Sequence, residues 1–310
     1  MSYTLYGGLS TSADPIEVAD FWEIECLKKT THSVSLLDIN KERGISDDVQ
    51  ETETELYEDN VEEGDLELVR EIERRIKSCS GKYPFKLDSS GYVLTIDGNV
   101  DQKYLWIYTY LLLATRNDMS KNKVFGDIDG TKIFESLSKD SLLNYLGENS
   151  VGIVFGTAKE NGFYEKLNDL VKNMNEGRLH PKDDALTYSP QDDKVDIVAW
   201  IPFHDSLPSK IICFAQCKTG THWLGAIAQL RTSSFLKRWF SLDPSVDPIE
   251  SFMITDILNP SDFYNRATDN LFLDRCRIAC FSALRPENEW FDNLKKWTEG
   301  IMNQYTLSFQ

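Results

Sequence analysis

The sequence lacks an apolar run long enough to cross a membrane. Its longest such run, Tyr104 to Ala114, has 11 residues, whereas a transmembrane helix needs roughly 20. The first residues also lack a basic segment followed by an apolar one, so we expect no export signal, no membrane contact and a cytoplasmic location. Six cysteines among 310 residues are too few for a disulfide scaffold, which agrees with a reducing compartment.

Positive charge is also scarce. Lys and Arg number 33 against 50 Asp and Glu, so the formal net charge is −17. Such an acidic chain is poorly suited to coat nucleic acid over its whole surface, and any contact with nucleic acid requires a local reversal of charge. Hydrophobic residues make up 41% of the chain and aromatic residues 12%. These fractions exclude global disorder and suffice for one large domain or two ordinary ones.

Two common catalytic motifs are absent as well, namely the phosphate-binding Walker loop and the nucleophile elbow G-x-S-x-G. The sequence therefore gives no support for a simple nucleotide hydrolase or an α/β-hydrolase. Four cysteines form two pairs with the same three-residue gap, and these are Cys213, Cys217, Cys276 and Cys280. They leave a zinc site as a minor alternative, because the usual gap in zinc sites is two residues.

The first 125 residues are predicted to be mainly helical. Apolar residues at helical spacing over 16–30 and 104–114 indicate two helices, and 85–96 is typical of a β-hairpin turned at a Ser-Ser-Gly sequence. Residues 47–67 hold eleven acids and no base, which indicates a solvated linker or an exposed helix face. The alternative is a nucleic-acid mimic that shields a basic cleft. We assign 1–125 to a regulatory or partner-binding region.

The polar, turn-rich segment 117–130 is the predicted domain boundary, and 126–310 form the second domain. Its helices and strands imply an α/β fold. We predict helices over 131–146, 163–174, 222–240, 273–284 and 290–297, and strands over 151–155, 195–203 and 210–218. A short turn joins the last two strands, which therefore form a hairpin.

The strongest chemical signal lies in this hairpin. Asp196 opens its first strand, and Gln216 and Lys218 close the second strand two residues apart, so that they share one face of the sheet. A carboxylate and a Lys–Gln pair therefore meet at the end of the hairpin, where unpaired polar groups are costly to bury. Metal-assisted phosphodiester hydrolysis needs such a set. A carboxylate and a neighbouring oxygen bind Mg²⁺ or Mn²⁺, while a lysine orients the attacking water.

With Asp196 and the tripeptide Gln216-Cys217-Lys218, residues 130–240 resemble the PD-(D/E)XK nuclease superfamily, which has the restriction-endonuclease-like fold. The resemblance implies a mixed central sheet flanked by helices, in which the acid and the tripeptide lie on neighbouring strands. It also implies a metal held by Asp196, the side-chain oxygen of Gln216, the main-chain carbonyl of Cys217 and a Glu from an upstream helix.

Two glutamates are candidates for this upstream acid. Glu135 and Glu165 each lie close to a Phe near the start of a predicted helix. We favour Glu135 because a strand follows its helix, as the fold requires, and Glu165 remains the alternative. The sequence departs from the family pattern at two positions. Val195 stands where a proline is usual, and Gln216 replaces the commoner acid, which places more of the metal affinity on the other ligands.

Local charge agrees with a nucleic-acid substrate. Residues 206–242 contain no Asp or Glu, and this stretch of 37 residues carries five Lys and Arg in a chain of net charge −17. Such a stretch attracts phosphates. The predicted nucleic-acid-binding residues are His222, Arg231, Lys237 and Arg238. The aromatic residues of the stretch either stack on bases or pack a helix on the sheet, and these are Trp223, Trp239 and Phe240.

The resemblance implies a cytoplasmic, divalent-metal-dependent endonuclease that hydrolyses phosphodiester bonds in DNA rather than RNA. Its catalytic residues are expected to be Glu135, Asp196, Gln216 and Lys218. The segments 133–135, 192–200 and 216–220 also resemble a bacterial subgroup of these nucleases. That resemblance implies restriction or anti-phage defence, a partner defence protein bound through the N-terminal region, and a homodimer as one assembly. Two alternatives remain open. One is a nucleic-acid-binding subunit of a defence complex that does not cleave, which Gln216 favours. The other is an adaptor that acts through the acidic N-terminal region.

Overall fold

The structure of the chain is a computed structural model. It describes residues 4–5, 7–10, 12–28, 32–44, 54–155, 162–182, 194–227, 229–260, 263, 270–283 and 289–309, and within these it describes no side chains over 54–63 or at 289. Residues 47–53 of the acidic stretch lie outside the described residues, whereas 54–67 belong to a helix.

Helices and short strands alternate along the chain. The helices are α1 (Pro15–Lys28), α2 (Leu36–Glu42), α3 (Thr54–Ser78), α4 (Gln102–Arg116), α5 (Gly130–Leu146), α6 (Phe163–Met174), α7 (Thr232–Trp239), α8 (Arg275–Phe281) and α9 (Glu289–Gln304). The strands are β1 (Ser33–Ser35), β2 (Phe85–Leu87), β3 (Val93–Ile96), β4 (Val124–Phe125), β5 (Ile128–Asp129), β6 (Val151–Val154), β7 (Arg178–Leu179), β8 (Ile197–Trp200), β9 (Ile212–Lys218), β10 (Phe240–Leu242), β11 (Ile249–Ile254) and β12 (Leu271–Leu273). Within the described ranges, no helix combines the length and the apolar composition of a bilayer-spanning segment.

The chain divides into two compact units. Unit 1 comprises Met1–Gly130, Arg275–Cys280 and Phe291–Gln310, and unit 2 comprises Thr131–Asp274 and Phe281–Trp290. The first junction lies close to the predicted boundary at residue 125. The two C-terminal segments of unit 1 differ from the prediction, which assigned them to the second domain.

A buried ion-pair network explains why the segment after residue 274 belongs to unit 1. Asp20 on α1 accepts hydrogen bonds from Arg75 at 2.7 Å and from Arg116 at 2.6 Å. Arg275 donates to both carboxylate oxygens of Asp20, at 2.6 and 2.8 Å. Burial alone raises the pKa of this carboxyl, but the guanidinium of Arg275, with those of the other two arginines, lowers it well below the ordinary range. These contacts span up to 255 residues of sequence, so no local pattern predicts them.

A second acid on α1 extends this network. Glu23 accepts hydrogen bonds from Arg75 at 2.7 Å and from the hydroxyls of Tyr83 and Tyr108 at 2.6 and 2.9 Å. Burial raises the pKa of the Glu23 carboxyl and that of the Tyr83 hydroxyl. The network therefore satisfies charges that would be very costly to bury alone.

Unit 1 also contains an antiparallel sheet of order β1-β3-β2. β2 and β3 form the predicted hairpin, in which Gly91 has a φ of +79° that favours glycine. The helix predicted from Tyr104 is α4, and Asp101 caps its start by accepting a hydrogen bond from the N–H of Lys103 at 3.0 Å. Both predictions are confirmed.

Unit 2 is built on a mixed five-stranded sheet of order β12-β11-β9-β8-β6. The pairs β6–β8 and β8–β9 are antiparallel, and the pairs β9–β11 and β11–β12 are parallel. Helices α6 and α7 pack on one face in a core that includes Phe214. On the other face, Leu143 of α5 lies beside Gly152 and Ala199. The predicted α/β class is confirmed.

Two of the helices predicted after residue 220 are wrong in part. In the first half of 222–240 a short 3₁₀ turn covers Leu224–Ala226, and α7 begins only at Thr232. Gly225 weakens the helical pattern in this half. The helix predicted from 273 is preceded by the strand β12, which pairs with β11. A strand of three residues is too short to show an alternating pattern.

Candidate active site

The predicted acid, Asp196, lies where the ladder between β8 and β9 becomes irregular. Its N–H donates to the carbonyl of Ala215 at 2.9 Å, and its carbonyl accepts from the N–H of Phe155 at 2.7 Å. In a regular strand, both groups of one residue face the same neighbour. The carboxylate of Asp196 instead acts as an acceptor and binds the N–H of Cys217 at 2.7 Å. This hydrogen bond therefore holds the Asp196 carboxylate against β9, at the point where the ladder becomes irregular.

Burial raises the pKa of the Asp196 carboxyl from the ordinary 3.8 to about 6. The hydrogen bond from Cys217 and the positive charges of Lys218 and Lys194 offset only part of this rise. The residue is half-buried rather than sealed from solvent. A carboxyl group whose pKa is raised by folding, and which solvent still reaches, is typical of a functional site.

Two lysines act on this carboxylate. Lys218 ends β9 and is half-buried, and its carbonyl accepts a hydrogen bond from the N–H of Thr255 at 3.2 Å. Lys194 lies two residues before Asp196 and has a left-handed φ of +52°, which is uncommon for a residue with a side chain. The sequence analysis identified Lys218 but missed Lys194, because no local pattern singles out a lysine ahead of a strand.

The main-chain carbonyl of Cys217 lies on the same side of β9 as Asp196. In a β-strand the N–H and C=O of one residue point to the same neighbouring strand. The N–H of Cys217 donates to the Asp196 carboxylate, whereas the carbonyl of the next residue, Lys218, accepts from Thr255 after β11. The carbonyl of Cys217 therefore points toward Asp196. The contact that joins the two residues is the hydrogen bond from the Cys217 N–H to the Asp196 carboxylate.

Gln216 does not lie on an open face of the sheet. Its side chain is 1% exposed and follows Ile212 and Phe214 on the face that α6 and α7 cover. Neither its amide oxygen nor its amide nitrogen has a hydrogen-bond partner. Packing therefore covers this face of the sheet as well as the face toward α5. A buried amide without partners costs roughly 1–3 kcal/mol for each unpaired group.

Glu135 lies near the other side of the same tripeptide. The thiol of Cys217 points toward α5, where it is buried beside the hydroxyl of Ser138. Burial raises the pKa of this thiol well above its ordinary value, and the negative charges of Asp196 and Glu135 raise it further. Glu135 itself is half-buried. The sequence analysis did not identify Ser138, because a serine inside an amphipathic helix carries no distinguishing signal.

Glu165, the alternative acid, is exposed on α6. The apolar face of this helix, with Phe163 and Leu167, packs in the core beside Phe214. No described contact links Glu165 to Asp196 or to the tripeptide. Of the two glutamates, the position of Glu135 is therefore the one that favours a shared site.

The predicted nucleic-acid-binding residues are all exposed, and these are His222, Arg231, Lys237 and Arg238. The three aromatic residues of the same stretch are buried at 2–4% exposure, and these are Trp223, Trp239 and Phe240. Trp223 also donates its indole N–H to the Asp256 carboxylate at 3.0 Å. The aromatic side chains therefore pack the protein core and are not available to stack on bases.

The oxygen atoms around Asp196 suit a hard divalent ion that keeps part of its water shell. Mg²⁺ is commonly held by one or two carboxylates with waters and phosphates, and Asp196, the Cys217 carbonyl and Glu135 offer such a sparse set. Within the described ranges, no group of three or more His, Cys, Asp and Glu side chains is arranged to hold a metal. A closed four-cysteine zinc site among those residues is therefore not supported.

Comparison with known proteins does not extend this description. No protein-family profile matches the chain, and neither a curated protein nor a solved structure matches it.

Proposed function

We propose that the chain is a divalent-metal-dependent nuclease whose active site lies at Asp196, Cys217 and Lys218, with Glu135 beside it. The observation that carries the proposal is the Asp196 carboxylate. This carboxylate accepts a hydrogen bond from the N–H of Cys217 and lies on the side of β9 to which the Cys217 carbonyl points. The positive charge of Lys218 acts on it and lowers its pKa. Folding raises its pKa to about 6, so a bound cation would relieve an unfavourable charge.

The chain's own residues divide the chemistry between them. Asp196 and the Cys217 carbonyl would hold the metal, with Glu135 as a further carboxylate. A divalent ion, when bound, polarises the phosphate and lowers the pKa of a water. The ammonium of Lys218 would donate hydrogen bonds to the attacking water or to a phosphate oxygen, which stabilises the negative charge that grows as the phosphodiester bond breaks.

The order of elements in unit 2 supports a restriction-endonuclease-like fold. The helix α5 with Glu135 is followed by β6, α6 and β7. Then come β8 with Asp196 before it, β9 with the Gln-x-Lys tripeptide, and α7 after a short 3₁₀ turn. Asp196 directly precedes β8 and the tripeptide lies in the last part of β9, and these two strands are antiparallel neighbours in a mixed sheet. These are the relations that the resemblance to PD-(D/E)XK nucleases requires, and they make DNA the favoured substrate.

A second function is favoured by Gln216. Its buried, unpaired amide stands where an acid is common, so a nucleic-acid-binding subunit that does not cleave is the alternative. In that case Lys218 would contact phosphate without hydrolysis. Defence or restriction, with a partner bound through the N-terminal region, stays part of the proposal in either case.

Cleavage of supercoiled plasmid separates the two functions. We expect wild-type protein to nick plasmid with Mg²⁺ or Mn²⁺ and not with EDTA. Lys218→Met should lower the rate by about 10²–10³, because it removes one group that stabilises the developing charge. The matched control is Lys121→Met, which removes an exposed lysine of unit 1 and should leave the rate unchanged. If the wild type binds DNA with or without metal but nicks it with none of the metals tried, the non-cleaving subunit is favoured.

A further inference from the structure

Two segments of unit 2 that are far apart in sequence lie side by side. β7 pairs antiparallel with β10, and the N–H of His180 donates to the carbonyl of Trp239 at 2.9 Å. Residues 177–182 and 229–242 contain no Asp or Glu. Together they carry five positive charges, and these come from Arg178, Lys182, Arg231, Lys237 and Arg238.

The pairing turns most of these charges outward. Leu179, Trp239 and Phe240 are buried in the core of unit 2. The alternation of a strand therefore exposes Arg178 and His180 on either side of Leu179. The exposed residues that the pairing groups together form what we call the β7–β10 basic surface, and these are Arg178, His180, Lys182, Lys237 and Arg238.

The backbone of this surface is fixed by specific contacts. The hydroxyl of Ser241 donates to the carbonyl of Leu179 at 2.9 Å. Gly177 has a φ of +80°, and a Cβ at this position would come within 2.8 Å of the Phe240 ring. A glycine is therefore required for β7 to approach β10 this closely. The surface is a property of the fold and not of one flexible loop.

We propose that the β7–β10 basic surface binds the phosphate backbone of double-stranded DNA without reading its sequence. This inference rests on the proposed function, since it adds the binding surface to the same nuclease. Its four Lys and Arg side chains give this surface a local positive charge in a chain of net charge −17, and such a patch attracts a polyanion. Arg178 offers the planar fork that pairs with phosphate oxygens. The sequence analysis could not find Arg178, His180 or Lys182, because they join the other cations only through strand pairing.

Binding of a short fluorescent DNA duplex in EDTA tests this surface apart from catalysis. In the full chain, Arg178→Glu with Lys237→Glu should weaken binding at least about tenfold at low salt. The slope of log affinity against log salt should flatten by about 1.8, which is about 0.9 for each of two lost phosphate contacts. Lys41→Glu with Lys121→Glu changes the net charge equally on exposed residues of unit 1 and should bind within about twofold of wild type.

The outcomes are distinct from those of the cleavage assay. Wild-type affinity in the Arg178/Lys237 variant, an equal loss in the control, or no DNA binding by the wild type would overturn the surface. The milder pair Arg178→Gln with Lys237→Gln, checked by thermal unfolding, gives the same decision if charge reversal disturbs folding. If the wild type binds DNA through this surface but never nicks it, the nuclease proposal is wrong and the binding surface stands. If the wild type nicks DNA while the variants bind as tightly as the wild type, the binding surface is wrong and the nuclease proposal stands.

Discussion

At the residue scale, the account depends on the charge state of Asp196. Its pKa in the folded chain, about 6, lies above the ordinary 3.8, so folding favours the protonated form. The stability contributed by this group is therefore present below pH 4 and is lost as the pH rises through 6. At neutral pH the deprotonated carboxylate destabilises the metal-free protein. A site with this property gains stability when a cation binds.

Replacing Asp196 with Asn tests this directly. Asn keeps an oxygen that can accept the N–H of Cys217 but has no charge. In EDTA at pH 8, the variant should be more stable than wild type by about 1–3 kcal/mol, after allowance for the partial exposure of the side chain. At pH 4 the two should be equally stable. Urea unfolding at both pH values measures the difference, and a variant that is less stable at pH 8 would count against the raised pKa.

Gln216 gives a second prediction at this scale. Because both ends of its buried amide are unpaired, Gln216→Met should raise the free energy of unfolding by about 1–3 kcal/mol. If the amide oxygen serves the site, the same change should lower metal-dependent cleavage. The control Gln229→Met, at an exposed position, should alter neither quantity by more than about 0.5 kcal/mol or twofold. Loss of stability in the Met variant would show that the amide has a hidden structural partner.

Sequence alternation was sufficient to select Asp196, Gln216 and Lys218 as a group, because a carboxylate, an amide and an amine at the end of one hairpin stand out against apolar strands. It could not show that Gln216 is buried while Lys218 is only half-buried. That difference arises from packing in the folded chain, where Phe214 precedes Gln216 in one core cluster and Phe252 lies beside it in another. Lys194 was missed because no local pattern singles out a lysine ahead of a strand.

At the element scale, α5 and α6 each present one candidate glutamate. The charge of Glu135 acts on the Cys217 thiol, whereas Glu165 is exposed on the helix that covers the other face. We predict that Glu135→Gln lowers the rate of plasmid nicking by at least about tenfold and that Glu165→Gln changes it by less than about twofold. The two variants are matched in chemistry and in position near a helix start. Nicking rates with the opposite order would assign the acid to α6.

Elements with a strong local period were predicted well, and elements defined by a distant partner were not. The pattern over 163–174 predicted α6 with its observed bounds, and 131–146 predicted α5 within one residue. β7, β10 and β12 have two or three residues each, which is too short for alternation to be read. Each of them exists because it pairs with a strand elsewhere in unit 2.

At the scale of the whole molecule, the buried network of unit 1 ties a C-terminal segment to α1. Arg275→Met removes one partner of a fully buried pair and leaves part of the Asp20 charge uncompensated. We expect a loss of about 3–5 kcal/mol in the free energy of unfolding, with increased amide hydrogen exchange in α1 and α3. The control is Arg277→Met, at an exposed position two residues away, and it should cost less than about 1 kcal/mol. Equal effects of the two changes would contradict this role for Arg275.

The composition of the whole chain predicted a folded protein, and the sequence itself located a basic stretch over 206–242. The assignment of residues after 274 could not be predicted, since Arg275 and Asp20 are 255 residues apart. Local sequence carries no information about such a pair. For the same reason the β7–β10 basic surface emerges only once the strands are paired.

The most direct test of the account is a crystal structure of the chain grown with Mn²⁺, using the anomalous signal of the ion. We expect one peak bonded to both the carboxylate of Asp196 and the main-chain carbonyl of Cys217, and this peak should disappear in Asp196→Asn. A crystal in which Mn²⁺ avoids this position, while the ammonium of Lys218 forms an ion pair with Asp196 in its place, would contradict it.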